Sequence, residues 1–164
     1  RLGSGAVQLV EFGDYQCPAC GAVHPNVKKL LAEYTGKVTF VFRNYPLESI
    51  HKNALVAAKY AEASAKQNKF WEMHDKLYET QSEWSELGDP TSKFADYARA
   101  LGMNADKLKQ DANDASIASL IKQDQADGDA VGVQGTPSFF VDGKAVANSD
   151  YASLKAAIDA ALKQ

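Results

Sequence analysis

The chain has 164 residues, 45% of them hydrophobic and 24% charged, with a net charge of −3. That length supports one domain with a proper core and room for an inserted subdomain. Lysines and arginines are scattered, with no basic run interleaved with aromatics, so no nucleic-acid partner is expected. No apolar run approaches the ~18 residues needed to span a bilayer.

Residues 7–12, "VQLVEF", form a short apolar, β-branched run that reads as a strand buried on both faces. Gly13 and Asp14 break it; Asp14 suits a capping or turn role before the helix that follows. From Pro18 to Tyr34, Val23, Val27, Leu30, Leu31 and Tyr34 recur at helical spacing. Pro18 fits the first helical position, where no N–H is needed, and Pro25 should kink the helix from inside. Residues 37–46, "KVTFVFRNYP", read as a second strand. Strand, helix and strand within ~40 residues make a βαβ unit with parallel strands.

From about residue 50 to 131 nothing alternates with period two. Four or five helices are expected there, one carrying the stripe Phe70, Met73, His74, Leu77 and Tyr78, and one capped by Asn104. The stripe, with Trp71 and Trp84, reads as core of the helical block. Residues 135–148, "GTPSFFVDGKAVAN", read as a hairpin with an Asp-Gly turn. A last helix follows, with Ser149 as its N-cap and Leu154, Ile158 and Leu162 as its buried stripe. The order β-α-β, helices, β-β-α describes an α/β core, residues 1–48 and 132–164, interrupted by an all-helical subdomain, residues 49–131.

The two cysteines, Cys17 and Cys20, are the only ones and sit three apart in "CPAC". There is no second pair for a four-cysteine zinc site and no disulfide framework. Cys17 falls at the strand-to-helix junction, where open α/β sheets place their sites. Helix N-terminal N–H groups and the dipole there favour a thiolate, the attacking species in disulfide exchange. Cys20, one turn on, should be the more buried partner within reach. A three-ligand zinc site of Cys17, Cys20 and His24 is the competing reading; Pro25 disturbs that face and no fourth ligand is evident, so no metal is assigned. His24 and His74 are expected to be helix residues, packed at an interface or exposed, and His51 a surface residue at the start of the helical block.

These residues resemble the thioredoxin superfamily. "CPAC" at the junction and the later "GTP", with "VEFGDYQCPAC", "VFRNYP", "VGVQGTPSFFVDGK" and the helical insertion, are similar to its DsbA-like branch over nearly the whole chain. The resemblance implies a thioredoxin fold with a helical insertion, acting as a thiol-disulfide oxidoreductase on proteins with cysteine thiols. It implies Cys17 as the exposed nucleophile and Cys20 as the resolving cysteine. Pro18 and Ala19 would face the substrate, and Thr136 and Pro137 would form a cis-proline loop that pairs with the substrate chain. Glu11 would be a buried acid that relays a proton to or from Cys20, or else an ordinary acid satisfied by a nearby lysine or arginine. Ala19, where the best-known oxidant carries histidine, offers no charge or donor. A bacterial periplasmic or envelope setting, a quinone-linked membrane partner, a monomer and no bound cofactor are implied. Running in reverse, the same site would be a reductase or isomerase; a non-catalytic peptide-binding or chaperone module is the alternative of another class.

Overall fold

A computed structural model describes all residues, Arg1–Gln164. Four strands, β1 (Val7–Gly13), β2 (Val38–Asn44), β3 (Ser138–Val141) and β4 (Lys144–Val146), form one sheet in the order β2-β1-β3-β4. β2 runs parallel to β1, while β3 is antiparallel to β1 and β4 to β3. Leu9 thereby faces Phe40 on one side and Val141 on the other, and Glu11 faces Phe42 and Phe139. β1 is buried on both faces only at its end: Gln8 and Val10 are half-buried, whereas Glu11, Phe12 and Gly13 are buried. The β3–β4 turn places Asp142 at φ 46° and Gly143 at φ 81°, the pair of positive values that an Asp-Gly hairpin turn requires.

Helix α1 (Pro18–Glu33) connects β1 to β2 and stays continuous through Pro25. The terminal helix α8 (Tyr151–Leu162) packs on β1 and β3 and against α1. Its N-cap is Asp150 rather than the expected Ser149: the Asp150 carboxylate accepts from the Ser153 N–H at 2.9 Å and from its hydroxyl at 2.7 Å, one bond to each oxygen.

Between β2 and β3 lie six α-helices and a 3₁₀ turn, more than the four or five expected. They are α2 (Ala54–Ser64), the 3₁₀ turn Ala65–Gln67, α3 (Phe70–Glu79), α4 (Gln81–Trp84), α5 (Thr91–Ala100), α6 (Ala105–Ala112) and α7 (Ala115–Ala130). The additional break falls at Thr80, whose hydroxyl donates to the Lys76 carbonyl at 2.6 Å and competes with the helix's own ladder. Asn104 caps α6 as expected, accepting from the Lys107 N–H. No helix is long and apolar enough to cross a membrane.

The α3 stripe does not serve the helical block alone. Trp71 and His74 pack against Phe40 and Phe42 of β2, and Tyr78 against Tyr15 and His24, so α3 is the seam between the block and the sheet. Trp84 instead packs inside the block against Phe94 and donates to the Leu77 carbonyl at 3.0 Å. A second seam joins α7 to β2: Arg43 pairs with Asp124 at 2.6 Å and with Asp127, and Asp124 also accepts the Asn44 N–H at 3.0 Å.

Candidate functional site

Gly13 ends β1 and the chain turns through residues 14–16 into α1. The turn is held by Asp14, which is buried. Its carbonyl accepts from the Cys17 N–H at 3.1 Å, and its carboxylate accepts from the Gln16 N–H at 2.8 Å and the Leu47 N–H at 3.0 Å. His51 Nδ1 completes the set at 2.7 Å. The expected surface role of His51 is therefore wrong: its side chain is largely buried because a carboxylate that carries no lysine or arginine partner draws it in.

Cys17 is the N-cap residue of α1, with extended backbone at φ −65° and ψ 122°, and Pro18 occupies the first helical position. Pro18 and Ala19 are exposed. Cys17 itself is only 6% exposed, less open than the sequence suggests, because the loop before β3 closes over it. That loop carries a cis Thr136–Pro137 bond, as expected, and the Thr136 carbonyl accepts from the Cys17 thiol at 3.6 Å. The Thr136 hydroxyl is buried with no hydrogen-bond partner. Cys20 lies one turn into α1 and is fully buried, the depth order expected of the pair. Both sulfurs are free thiols.

The electrostatics separate the two thiols. Hydrogen bonding from the Cys20 thiol lowers the pKa of Cys17 to about 5; burial opposes this, and the Thr136 side chain and the N–H groups of Cys20 and Ala19 add to it. Burial, then the hydrogen bond to Cys17 and the charge of Glu11, push Cys20 up. Glu11 on β1 is 3% exposed and has no ion-pair partner, so the reading of an acid satisfied by lysine or arginine does not hold. Burial, with a contribution from the Cys17 charge, raises it to about 8. One thiol is thus poised as a thiolate, the other as a thiol, with a protonated carboxyl beneath.

The zinc reading at the cysteines loses its third ligand. His24 turns away to stack near His74 and Tyr78, 3.4 Å from Asp75. The apolar β1 end, the low-pKa thiol at a helix start and the cis-proline loop against it are now all placed, and comparison with known proteins decides the family. A family model described as Thioredoxin matches residues 4–160. A "Probable disulfide bond formation protein D" of Bacillus anthracis is 33% identical over 165 residues, covering 96% of this chain and 75% of that one. The chain belongs to the DsbA-like branch of the thioredoxin superfamily. BdbD of Bacillus subtilis, in its oxidised crystal structure, superimposes with a TM-score of 0.87 at 29% identity, covering 99% of this chain and 92% of that one. A Na(+)/H(+) antiporter NhaA 3 of Salinispora tropica is 40% identical over 138 residues, but this chain spans only 20% of that relative's length.

Within this DsbA-like frame one positioning residue escaped the sequence reading. Gln81, at the start of α4, donates its amide to the carbonyls of Tyr15 at 2.7 Å and Cys17 at 2.9 Å. Gly21 of α1 makes the approach possible: a Cβ there would lie 2.7 Å from Gln81 Oε1. Gln16 and Asn53 add a second tie: Gln16 accepts the Asn53 N–H at 2.7 Å and donates to the Ser85 carbonyl at 2.8 Å. Asn53 in turn donates to the carbonyls of Trp84, Ser85 and Leu87. A glutamine that opens a four-residue helix carries no local signal of such a role; only the fold brings residue 81 to residue 17.

Proposed function

We propose that this chain is a dithiol oxidase that introduces disulfide bonds into other proteins. The cycle starts from the Cys17–Cys20 disulfide. A substrate thiolate attacks Cys17 Sγ; the new S–S bond forms as the Cys17–Cys20 bond breaks, and Cys20 leaves with the electron pair. Glu11, protonated at neutral pH, supplies the proton that Cys20 takes up. A second substrate thiolate then attacks the substrate sulfur of the mixed disulfide and expels Cys17 as a thiolate. The substrate has lost two electrons and the Cys17–Cys20 pair has gained them. Pro18 and Ala19 border the sulfur under attack, and the Thr136–Pro137 backbone pairs with the substrate as an added strand.

The single observation that carries this direction is the placing of Cys17 at the N-cap of α1, where the Cys20 thiol, the Thr136 side chain and the N–H groups of Cys20 and Ala19 bring its pKa down to about 5. A stabilised thiolate is both the better leaving group and a stabiliser of the reduced enzyme, which makes the disulfide form oxidising. The Ala19 side chain contributes no donor to that stabilisation; the Cys20 thiol, Thr136 and the N–H groups of Cys20 and Ala19 do. A quinone-linked membrane protein that reoxidises the pair, a monomeric state and an extracytoplasmic bacterial setting complete the reading, since disulfides persist outside the reducing cytosol. No cofactor takes part in the cycle.

Equilibration with glutathione redox buffers tests it. A reduction potential well above the glutathione poise supports the oxidase. A value near that of thioredoxin, about −270 mV, turns the assignment into a reductase on the same site. Absence of any reversible Cys17–Cys20 disulfide leaves only a binding module.

A further inference from the structure

Away from the cysteines, α1 and α3 bring three metal-ligating side chains together. One ring nitrogen each of His24 and His74 and a carboxylate oxygen of Asp75 lie within 4.8 Å of one another. His24 is 6% exposed, and its Nε2 is buried with no hydrogen-bond partner. An orphaned buried nitrogen is costly unless something meets it. The nearest group, Asp75 Oδ1 at 3.4 Å, is too far for a good bond.

His74 is held from behind. Tyr15 Oη sits 2.8 Å from its Nδ1, which fixes the ring and leaves Nε2 free. A hydrogen-bonded second nitrogen is the usual support of a metal-bound histidine. A cavity of about 110 Å³ opens on the three residues, walled by Val27, Leu31, Phe40 and Trp71. It offers room for a fourth ligand and a route in.

We propose that His24, His74 and Asp75 bind a borderline first-row divalent cation, Zn²⁺ being the best match to two imidazoles and one carboxylate. His24 coordinates through Nε2, His74 through the nitrogen that Tyr15 leaves free, and the fourth position faces the cavity. With Zn–N bonds of ~2.0 Å, tetrahedral ligand atoms stand roughly 3.3 Å apart; His24 Nε2 and Asp75 Oδ1, at 3.4 Å, already meet this, and the widest separation, at most 4.8 Å, closes by up to about 1.5 Å on binding. Asp75, a third exposed, is the freest of the three side chains to adjust. Lys28 is the competitor: its Nζ lies 2.9 Å from Asp75 Oδ2 and must yield. It is half-exposed and has Glu79 at 3.5 Å as a second partner, so it can swing aside.

The test uses the oxidised protein, whose disulfide removes both thiols as ligands. Co²⁺ is titrated in, followed by displacement with Zn²⁺. The expected result is one Co²⁺ per chain, with the visible absorption of a four-coordinate nitrogen and oxygen site and no thiolate charge-transfer band, reversed by one Zn²⁺. Asp75→Asn and His24→Gln each weaken binding at least about tenfold, Tyr15→Phe weakens it about 10–100-fold as a loss of outer-shell support, and Lys28→Ala tightens it. Asp75 is partly exposed, so Asp75→Asn keeps the test valid should His24→Gln fail to fold. No saturable uptake of either ion, or uptake that Asp75→Asn leaves unchanged, overturns the proposal.

Discussion

Cys17 Sγ lies 3.6 Å from the carbonyl oxygen of Thr136, across 119 residues of chain. The contact joins the first βα junction to the loop before β3, and it places the Thr136 hydroxyl, buried and otherwise unpartnered, beside the reactive sulfur. A hydroxyl with no other acceptor donates to a thiolate more readily than to a thiol, which is the sense in which Thr136 lowers the Cys17 pKa. Thr136→Val keeps the shape and removes the donor. Its Cys17 should titrate higher than the value of about 5 in the parent, as read by the pH dependence of alkylation of the reduced protein. An unchanged profile would assign the low pKa to Cys20 and the helix N–H groups alone.

The same shift links redox state to stability. In the unfolded reduced chain Cys17 releases its proton near 9.0, in the folded chain near 5. Between those values the folded state binds fewer protons, so the reduced protein gains stability as pH rises. The contribution is complete above pH 9 and lost as pH falls through 5. The oxidised protein has no thiol to titrate. Thermal melts of the two forms should therefore diverge in favour of the reduced one between pH 5 and 9; melts that stay parallel would contradict the thiolate assignment.

Glu11 titrates in the opposite sense. The unfolded chain ionises it near 4.5, the folded chain near 8. Across that window the unfolded state binds fewer protons, so stability falls as pH rises. Glu11→Gln cannot ionise and should lose this slope, so that its stability relative to the parent improves by up to a few kcal/mol from pH 4.5 to 8. The variant should also reduce more slowly, because Cys20 no longer has a proton source beneath it. Urea melts at several pH values and stopped-flow reduction by a model thiol read the two effects separately.

Legibility in the sequence tracked the range of the interactions. "CPAC" lies within one helical turn and the Asp-Gly turn within four residues, so local chemistry and spacing sufficed for both. Pro137 was legible only with its neighbours Gly135 and Thr136. The polar ties were not: Asp14 reaches His51 over 37 residues, and Gln81 reaches Cys17 over 64. In a sequence, a glutamine or histidine at a helix start looks like solvent-facing surface, and nothing short of the packed fold shows which carbonyl it meets. The α3 stripe was read correctly as buried core of the helical block, where it meets α2 and α5, but its second neighbour, Phe40 and Phe42 of β2, was not read, since periodicity identifies an apolar face and not everything that covers it. Ser149 and Asp150 are both good caps in adjacent positions, and only the Ser153 partner tells them apart.

Gln81 and Gly21 give the sharpest test of how the helical block serves the site. Gln81→Ala removes the side-chain donor of the Tyr15 carbonyl and one of the two donors of the Cys17 carbonyl, which keeps the Gly21 N–H, in a part-buried place, and should cost about 1–3 kcal/mol. Gly21→Ala brings a methyl to within 2.7 Å of the Gln81 amide and should displace the same side chain. Each variant should loosen the N-cap and slow disulfide exchange. If they act through one contact, the double variant is destabilised by less than the sum of the singles, since the second substitution removes a clash with a side chain already gone. A double-mutant cycle in urea, with the Cys17 alkylation rate measured on all four proteins, decides it. Additive losses would mean that Gly21 serves α1 packing on its own account and that the tie from Gln81 to the active-site turn survives a methyl at position 21.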